Sequence, residues 1–485
     1  MAVHDPENSG EPAGRGSALS VRELIDSVPV SWFQHRVLLL CVLLGLADGF
    51  DALAIGYLLP SMAKEWGVSP GEFGPAITVG LVGMIIGTTM IAPLADRFGR
   101  RILLLAATLL YAVFTAAIML VSSVTLLAVM RFFAGIGLGA VLPNLVAVAG
   151  EVMPGRAKGR AILVVLSSTT VGGFLAGLVA GWLVPAFGWQ SVYLVGVVVP
   201  LVLVGIAWRT LPESMDFLAV RGKTGAARRT LGRIDPRFAE VDIDFAASAP
   251  AARTKRIPIG RLFAGGRRLN TALLWTSWFA CFVILYFLYS WLPTLLTRVG
   301  VPQSIAIMTM SLALLASTVG GLVQGWIIDR RRDFVSLAVG LPISVVLILV
   351  VPSTFANSAL LMVVICLIGF LAVGVSQALS ALSSALYPVE VRATGVGWAF
   401  GAGRIGSLIA PLVGGVLITQ GVAGELILRM IAVPAAIAAI SLIVLVVRLG
   451  RTGGTPADAA DRSDERSVLA GDADRVAEAP ARPDR

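Results

Sequence analysis

Charged residues are scarce in this chain of 485 residues. They make up only 14% of it, whereas 57% of the residues are hydrophobic, and the mean hydropathy is +0.87. Soluble domains carry about 25% charged residues. A chain this apolar cannot cover a globule with polar side chains, so we expect most of its outer surface to face lipid.

Histidine and cysteine are also scarce. The two histidines, His4 and His35, both precede the first long apolar run, and the three cysteines stand alone in apolar runs: Cys41, Cys281 and Cys366. This pattern excludes a disulfide framework and a zinc site. We therefore expect no metal and no cofactor, and the shortage of histidine argues against a membrane-embedded enzyme.

One glycine motif resembles a cofactor site but lies in the wrong context. Residues 401–406 read G-x-G-x-x-G. A dinucleotide site needs a strand before this motif, whereas here it lies within an apolar run.

Apolar runs of about 20 residues, the length that crosses a bilayer as a helix, recur along the chain. Twelve can be counted: 37–62, 74–95, 102–122, 124–150, 161–184, 190–209, 270–296, 303–328, 335–352, 358–386, 394–419 and 424–447. The fold class predicted is an all-α integral membrane protein with twelve transmembrane helices in two pseudo-symmetric six-helix bundles.

The runs also define a division of the chain. We predict a cytoplasmic N-terminal tail over 1–36, one bundle over 37–210 and a second over 270–448. A polar cytoplasmic loop over 211–269 separates the bundles, and a disordered cytoplasmic tail covers 449–485. Residues 1–30 are polar as well, and we expect no stable structure there.

Positive charge predicts the orientation. Only three basic residues fall on one side of the predicted membrane: Lys64, Arg298 and Arg429. Arg131 and Arg404 lie inside runs, and the other 33 of the 38 basic residues fall on the opposite side. Basic loops stay in the cytoplasm, so both termini are expected there. The basic balance is thus a topology signal, and we expect no nucleic-acid partner.

The two halves of the chain repeat. Pro60 and Pro293 each follow leucine at the end of a run, and Asp96-Arg97 matches Asp329-Arg330; both offsets equal 233. Two further landmarks, a Gly-Val pair and a glycine in the fifth run, keep the same offset. A duplicated six-helix unit is typical of one large class of secondary transporters, whose substrate site lies between the halves.

Four ionisable residues lie deep in the runs: Asp48, Asp51, Arg131 and Arg404. A charge in the bilayer is costly and marks a functional site by default. None of the four recurs at the 233-residue offset, so the repeated fold does not require them. Their charges balance if the four side chains converge; a purely structural ion pair or a helix cap is the alternative.

The seventh run carries an aromatic stripe. Its members are spaced four and three residues apart, as on one helical face: Trp275, Phe279, Phe282, Tyr286 and Tyr289. The stripe could stack on an aromatic substrate, or it could serve packing alone. Asn144 and Gln324 could orient a ligand, or could each bond a neighbouring helix.

Several segments resemble one family. Residues 92–101, A-P-L-A-D-R-F-G-R-R, resemble the loop signature of the major facilitator superfamily, and residues 131–144 resemble its helix-4 motif. The D-G-F-D of residues 48–51 and the Y-P-x-x-x-R-x-T-G-x-G of residues 387–397 are similar to motifs of its aromatic acid:proton symporter family. Leu211-Pro212-Glu213-Ser214 resembles that family's helix-6 exit.

The resemblance implies roles for matching residues. Asp48 and Asp51 would carry proton coupling and translocation. A gating loop would comprise Asp96, Arg97, Gly99, Arg100, Asp329 and Arg330. Arg131, Glu151, Arg392 and Arg404 match charged positions that matter in the family.

The function predicted is proton-coupled uptake of a small aromatic carboxylate of the hydroxybenzoate type. Substrate binding would involve Arg131, Arg404, Asn144, Tyr286, Tyr289 and Gln324. The protein would function as a monomer in a bacterial inner membrane, with the acid, protons and lipid as its partners. Alternatives are a transporter of another organic acid, a sugar or a drug, or a membrane sensor that transports nothing.

Overall fold

The computed structural model describes residues 21–239, 259–264, 267–331 and 334–451, and within these ranges every regular element is a helix. Twelve helices are long and apolar enough to span a membrane. They are α1 (Trp32–Trp66), α2 (Pro70–Phe98), α3 (Arg100–Ile118), α4 (Val124–Val152), α5 (Gly155–Phe187), α6 (Gln190–Thr210), α7 (Arg268–Arg298), α8 (Gln303–Arg331), α9 (Val335–Thr354), α10 (Ser358–Leu386), α11 (Glu390–Thr419) and α12 (Gly424–Gly450). The predicted fold class is confirmed.

The helix bounds reproduce the sequence repeat. Adding 233 to the bounds of α2, 70 and 98, gives 303 and 331, which are the bounds of α8. The same shift takes 124 and 152 of α4 to 357 and 385, one residue from the bounds of α10, 358 and 386. The N-terminal half, α1–α6, and the C-terminal half, α7–α12, are therefore copies of one six-helix unit.

Large apolar side chains cover the outside of the spans. Trp182 is 79% exposed, Val346 is 61% exposed and Ile440 is 63% exposed. Soluble monomers rarely leave contiguous apolar surface of this kind facing water. The exposed apolar side chains therefore mark the lipid-facing surface.

Close packing of α1 on α5 orients the acidic face of α1. A Cβ atom on Gly49 would lie 1.8 Å from the carbonyl oxygen of Thr169, so only glycine fits at this crossing. Successive residues of a helix are rotated by about 100°. Asp48 and Asp51 therefore point away from α5 and into the interior of the N-terminal half.

The two halves touch on one side of the membrane, which we call the outer side: the side where α1 ends and α12 begins. The opposite side is called the inner side. A Cβ on Gly56 of α1 would lie 2.0 Å from the carbonyl oxygen of Tyr289 in α7, and one on Gly177 of α5 would lie 1.8 Å from Ser311 Oγ in α8. Both contacts lie between the middle of the spans and their outer ends.

Two hydrogen bonds join described residues of different halves. Thr78 Oγ1 of α2 donates to the Leu408 carbonyl of α11 at 3.3 Å, and Gln303 Nε2 of α8 donates to Ser61 Oγ of α1 at 2.8 Å. Like the glycine contacts, these bonds lie in the outer part of the spans. The structure is thus sealed on its outer side.

A small helical cluster lies on the inner side, and it corrects one expectation. Residues 21–27 were expected to lack stable structure, but they form a helix, Val21–Ser27. Leu24 and Ile25 are buried there against Leu231 of a central-loop helix, Thr224–Ile234. The short N-terminal helix forms because this loop covers its apolar face. The predicted tail over 1–20, and residues 452–485, lie outside the described residues.

Candidate transport site

Asp51 lies in a buried polar cluster inside the N-terminal half. The residue is fully buried. Arg131 Nη1 of α4 lies 3.5 Å from Asp51 Oδ2, and Thr115 Oγ1 of α3 donates to Asp51 Oδ1 at 2.9 Å. Hydrogen bonds to the other atoms support a buried ion pair of this kind. Thr115 supplies one, whereas Asp51 Oδ2 and Arg131 Nε have no hydrogen-bond partner among the described residues. The cluster therefore joins α1, α3 and α4 at one level.

Arg131 is held on its other side by α6. Its Nη2 hydrogen-bonds Tyr193 Oη, and its guanidinium carbon lies 5.1 Å from the centre of the Tyr193 ring. Its Nη1 also donates to the Asp51 carbonyl at 3.4 Å. The structure thus gives Arg131 a partner from its own half.

Asp48 has a different environment, although it lies only three residues from Asp51. Its side chain is 4% exposed, and its Oδ1 is buried with no hydrogen-bond partner. No basic group of the described residues forms a salt bridge with it within 4.0 Å. A carboxylate without a counter-ion is expensive to bury, and binding a proton removes that cost.

Arg404 belongs to the other half. Its Nη1 donates to Tyr286 Oη of α7 at 3.2 Å, and its guanidinium carbon lies 4.9 Å from the centre of the Phe400 ring. Its side chain is half-buried, and no carboxylate of the described residues pairs with it within 4.0 Å. The guanidinium therefore keeps donors for a ligand.

The position of Arg404 on α11 shows which way it faces. Leu408, Pro411 and Gly415 contact α2 of the other half. Arg404 precedes them at a spacing of four, three and four residues, so all four share one helix face. Arg404 therefore faces the N-terminal half, one turn to the inner side of the seal.

Aromatic rings surround this arginine. The Phe282 ring lies 5.8 Å from the Tyr286 ring and 5.5 Å from the Phe400 ring, and Tyr286 lies 6.0 Å from Tyr289. These separations are typical of favourable ring contacts. The sequence had not marked Phe400 for this site, although its position four residues before Arg404 on one helix is a signal that could have found it.

The inner end of the aromatic stripe is separate. The Trp275 ring stacks on Trp398 at 6.1 Å and meets the Phe263 ring at 5.5 Å. These rings pack the inner end of the C-terminal half. Only the part of the stripe from Phe282 to Tyr289 adjoins Arg404.

The four deep charges therefore do not converge. Asp51 and Arg131 form an ion pair, as expected if opposite charges neutralise each other, but Arg404 lies in the other half and joins neither aspartate. The two candidate amides also stay within their own halves: Asn144 Nδ2 donates to the Ala140 carbonyl of its own helix at 2.7 Å, and Gln324 Nε2 donates to the carbonyl of Leu371 in α10 at 3.4 Å. Gln324 Oε1 is buried without a hydrogen-bond partner.

The loop between α2 and α3 is tied to two other helices. Gly99 has a φ of +99°, a left-handed conformation that favours glycine. Arg100 Nη2 lies 2.8 Å from Glu151 Oε1 at the end of α4. Glu213, beyond α6, accepts a hydrogen bond from the Arg101 backbone N–H at 3.1 Å. The carboxylate of Glu213 thereby caps the N-terminus of α3, a role the sequence had not assigned to it.

The remaining candidate charges lie at the inner surface. Asp96 and Asp329 are exposed, and Arg97 accepts a hydrogen bond through its carbonyl from Arg221 Nη2 at 2.8 Å. The Arg330 guanidinium carbon lies 5.4 Å from the Trp326 ring centre. Arg392 Nε donates to the Tyr387 carbonyl at 3.3 Å, which ties the start of α11 to the end of α10.

Known proteins resemble this chain over most of its length. It is 34% identical over 418 residues to a gallate transporter of Pseudomonas putida, covering 86% of this chain and 93% of the relative. It is 34% identical over 431 residues to the 4-hydroxybenzoate transporter PcaK of Acinetobacter baylyi, covering 88% and 94%.

A solved structure shares the fold. The xylose transporter XylE from E. coli, in a partially occluded inward open conformation, matches with a TM-score of 0.64 and 17% identity, covering 84% of this chain and 97% of that one. At this identity the likeness concerns the fold alone. The family model described as Major Facilitator Superfamily matches residues 41–381. On these matches the chain belongs to the major facilitator superfamily, a superfamily of transporters, and within it to the aromatic acid transporter family.

Proposed function

We propose that this protein imports a small aromatic carboxylate of the hydroxybenzoate type together with protons across a bacterial inner membrane. The observation that carries the proposal is Arg404, a guanidinium that no carboxylate of the described residues pairs with, set among aromatic rings on the face between the halves. The names of the gallate and 4-hydroxybenzoate transporters support the substrate class.

The substrate would meet two kinds of group at Arg404. The guanidinium offers a planar fork that fits a carboxylate with two parallel hydrogen bonds. The rings of Phe282 and Phe400 supply edges and faces for the ring of the acid. The Tyr286 hydroxyl, now bonded to Arg404, would be free to bond a ring substituent once the carboxylate takes the guanidinium.

The proton would bind on α1. Among the described residues Asp48 is buried without a counter-ion, so a proton relieves the cost of its charge. Asp51 and Arg131 would form the fixed part of the coupling site. Arg131 would therefore neutralise Asp51 and would not bind the substrate carboxylate. Helix α1 also contacts α7 where Gly56 meets Tyr289, and this contact gives protonation a route to the substrate site.

Protons are needed on energetic grounds. An inside-negative potential opposes entry of an anion by about 2.3 kcal/mol per charge per 100 mV. One co-transported proton cancels that term, and a second would drive accumulation. The excess of basic residues on the inner side supports cytoplasmic termini. The outer seal would then be the closed extracytoplasmic gate of an alternating-access cycle.

Uptake by purified protein tests this function. Proteoliposomes under an imposed inward proton gradient should accumulate labelled 4-hydroxybenzoate or gallate, and a protonophore should abolish the accumulation. Xylose serves as the control solute and should not accumulate. Accumulation of the acid that survives the protonophore would refute proton coupling, and failure to transport any hydroxybenzoate would refute the substrate class.

Arg404 has its own test. We expect Arg404→Ala to abolish binding of the acid, and Arg404→Lys to weaken it at least tenfold, because lysine lacks the bidentate fork. The uncharged amide of the same acid should bind poorly to the unmodified protein and lose little further. Arg429→Ala, at an exposed arginine on the outer side, is the control. Equal losses for acid and amide would make Arg404 a structural residue.

A further inference from the structure

Two buried oxygen atoms at one level of the N-terminal half have no hydrogen-bond partner. One is Asp48 Oδ1 on α1 and the other is Tyr111 Oη on α3. Tyr111 is fully buried, and Asp48 is 4% exposed. Leaving a buried polar group unsatisfied is costly, so such atoms in a native structure call for an explanation.

The register of the two helices makes them neighbours. Helices α1 and α3 both run from the inner to the outer side, and Thr115 Oγ1 bonds Asp51 Oδ1 at 2.9 Å. One turn toward the inner side from this bond lie Asp48, three residues back on α1, and Tyr111, four residues back on α3. At about 1.5 Å of rise per residue, the two positions differ by about 1.5 Å in height.

The charged groups around Asp48 have other partners. Asp51 is bonded by Thr115 and Arg131, and Arg131 in turn holds Tyr193 on α6. Among the tyrosines of the described N-terminal half, Tyr57 and Tyr193 have hydrogen-bond partners, and Tyr111 is the one whose hydroxyl has none.

Helix α5 supplies no donor either. Ser168 Oγ and Thr169 Oγ1, which lie where α5 crosses α1, donate to carbonyls of their own helix at 2.6 Å and 2.9 Å. On α3, Thr108 Oγ1 likewise donates to the Leu104 carbonyl at 2.8 Å. Apart from Tyr111, these hydroxyls of α3 and α5 are therefore already bonded and do not donate to Asp48.

We propose that Tyr111 is a positioning residue of the coupling site: its hydroxyl donates to Asp48 when that carboxylate is ionised and releases it when Asp48 takes up a proton. The proposal rests on the proposed proton coupling. The tyrosine keeps its own proton throughout, and only the hydrogen bond is made and broken. Proton binding to Asp48 would thereby break a hydrogen bond that joins α1 to α3. The structure, in which neither atom is bonded, corresponds to the released arrangement.

The pH dependence of uptake tests the proposal. Tyr111→Phe removes only the hydroxyl that stabilises ionised Asp48, so Asp48 should hold its proton to higher pH. A hydrogen bond to a charged group is worth enough to move the alkaline midpoint of uptake upward by about one pH unit. Tyr57→Phe is the matched control: Tyr57 is also buried, but its hydroxyl donates to the Gly173 carbonyl at 3.1 Å, and the midpoint should stay.

A second variant covers poor folding of Tyr111→Phe. Ring-fluorinated tyrosine placed at position 111 keeps the hydroxyl and makes it a stronger donor, so the midpoint should move downward. An unchanged midpoint in both variants, or a uniform loss of rate without a shift, would overturn the proposal. If the unmodified protein itself transports without protons, the proposed function fails instead, and the two failures are thus distinguished.

Discussion

Asp48 and Asp51 are the same residue type on one face of α1, but their surroundings differ. Asp51 is one partner of a buried ion pair with Arg131, whereas Asp48 has no counter-ion within the described chain. Removing one partner of a buried pair leaves the other charge unpaired, at a cost of about 3–5 kcal/mol. Replacing an unpaired buried carboxylate by a neutral side chain, in contrast, removes the free-energy cost of burying a charge.

The two Asn variants should therefore differ in stability. Asp51→Asn should lose uptake and lower the unfolding temperature in detergent, because Arg131 loses its charge partner. Asp48→Asn should also lose proton-driven accumulation but keep or raise the unfolding temperature. Thr115→Val, which removes one hydrogen bond to Asp51 but leaves its ion pair with Arg131, is the control and should cost less stability than Asp51→Asn. Equal unfolding temperatures for the two Asn variants would contradict the different roles.

For individual residues, the sequence predicts which side chains belong to a functional site more reliably than it predicts which side chains contact each other. The deep charges stand out because the bilayer penalises them, whatever the fold. Their partners depend on helix rotation and crossing, which a single sequence does not specify. Arg131 therefore pairs with Asp51 in its own half, and Phe400 joins Arg404 without having been marked beforehand.

Helix α3 begins where a positive-φ glycine and two carboxylate contacts meet. Gly99 ends the preceding turn, Glu213 bonds the Arg101 N–H, and Arg100 pairs with Glu151. These contacts tie α2, α3, α4 and the segment after α6 into one rigid body on the inner side. A rocking motion of the half needs such a body, so the contacts should affect the transport rate more than substrate affinity.

A charge exchange at this site tests the idea. Arg100→Glu alone should slow uptake several-fold with little change in the affinity for the acid, because repulsion between two carboxylates replaces the attraction of the Arg100–Glu151 pair. Combining it with Glu151→Arg should restore part of the rate, because the attraction returns. Initial uptake rates and substrate binding would be measured separately. A double variant no faster than the single one would mean that the pair does not act as a link.

Element bounds follow closely from the sequence where the bilayer dictates them. The apolar runs locate all twelve spans because a helix of about 20 residues is needed to cross the core. The helix Val21–Ser27 escaped prediction for the opposite reason. Seven residues do not form a stable helix alone, and this one depends on Leu231 and its neighbours, more than two hundred positions away in the chain.

For the molecule as a whole, the sequence repeat indicates the fold, whereas the deep charges indicate the functional site. The 233-residue offset specifies two equivalent halves, and the helix bounds follow it. The deep charges break that symmetry, with the acidic cluster in one half and Arg404 in the other. In the proposed mechanism, coupling between them would pass through contacts between the halves, and the contacts described above lie on the outer side.

The outer seal provides the test at this scale. Ser61 Oγ and Gln303 Nε2 meet at 2.8 Å across the two halves, and a transporter that opens outward must separate them. Ser61→Cys combined with Gln303→Cys should be joined by a short methanethiosulfonate cross-linker, which spans the length that cysteine lacks relative to glutamine. The cross-link should stop uptake, and reduction should restore it. Each single cysteine variant is the control and should keep its uptake after both treatments. Labelled acid should still bind the cross-linked protein in detergent, because Arg404 lies on the inner side of the seal. Full uptake by the cross-linked protein would show that this contact stays closed throughout transport and is no gate.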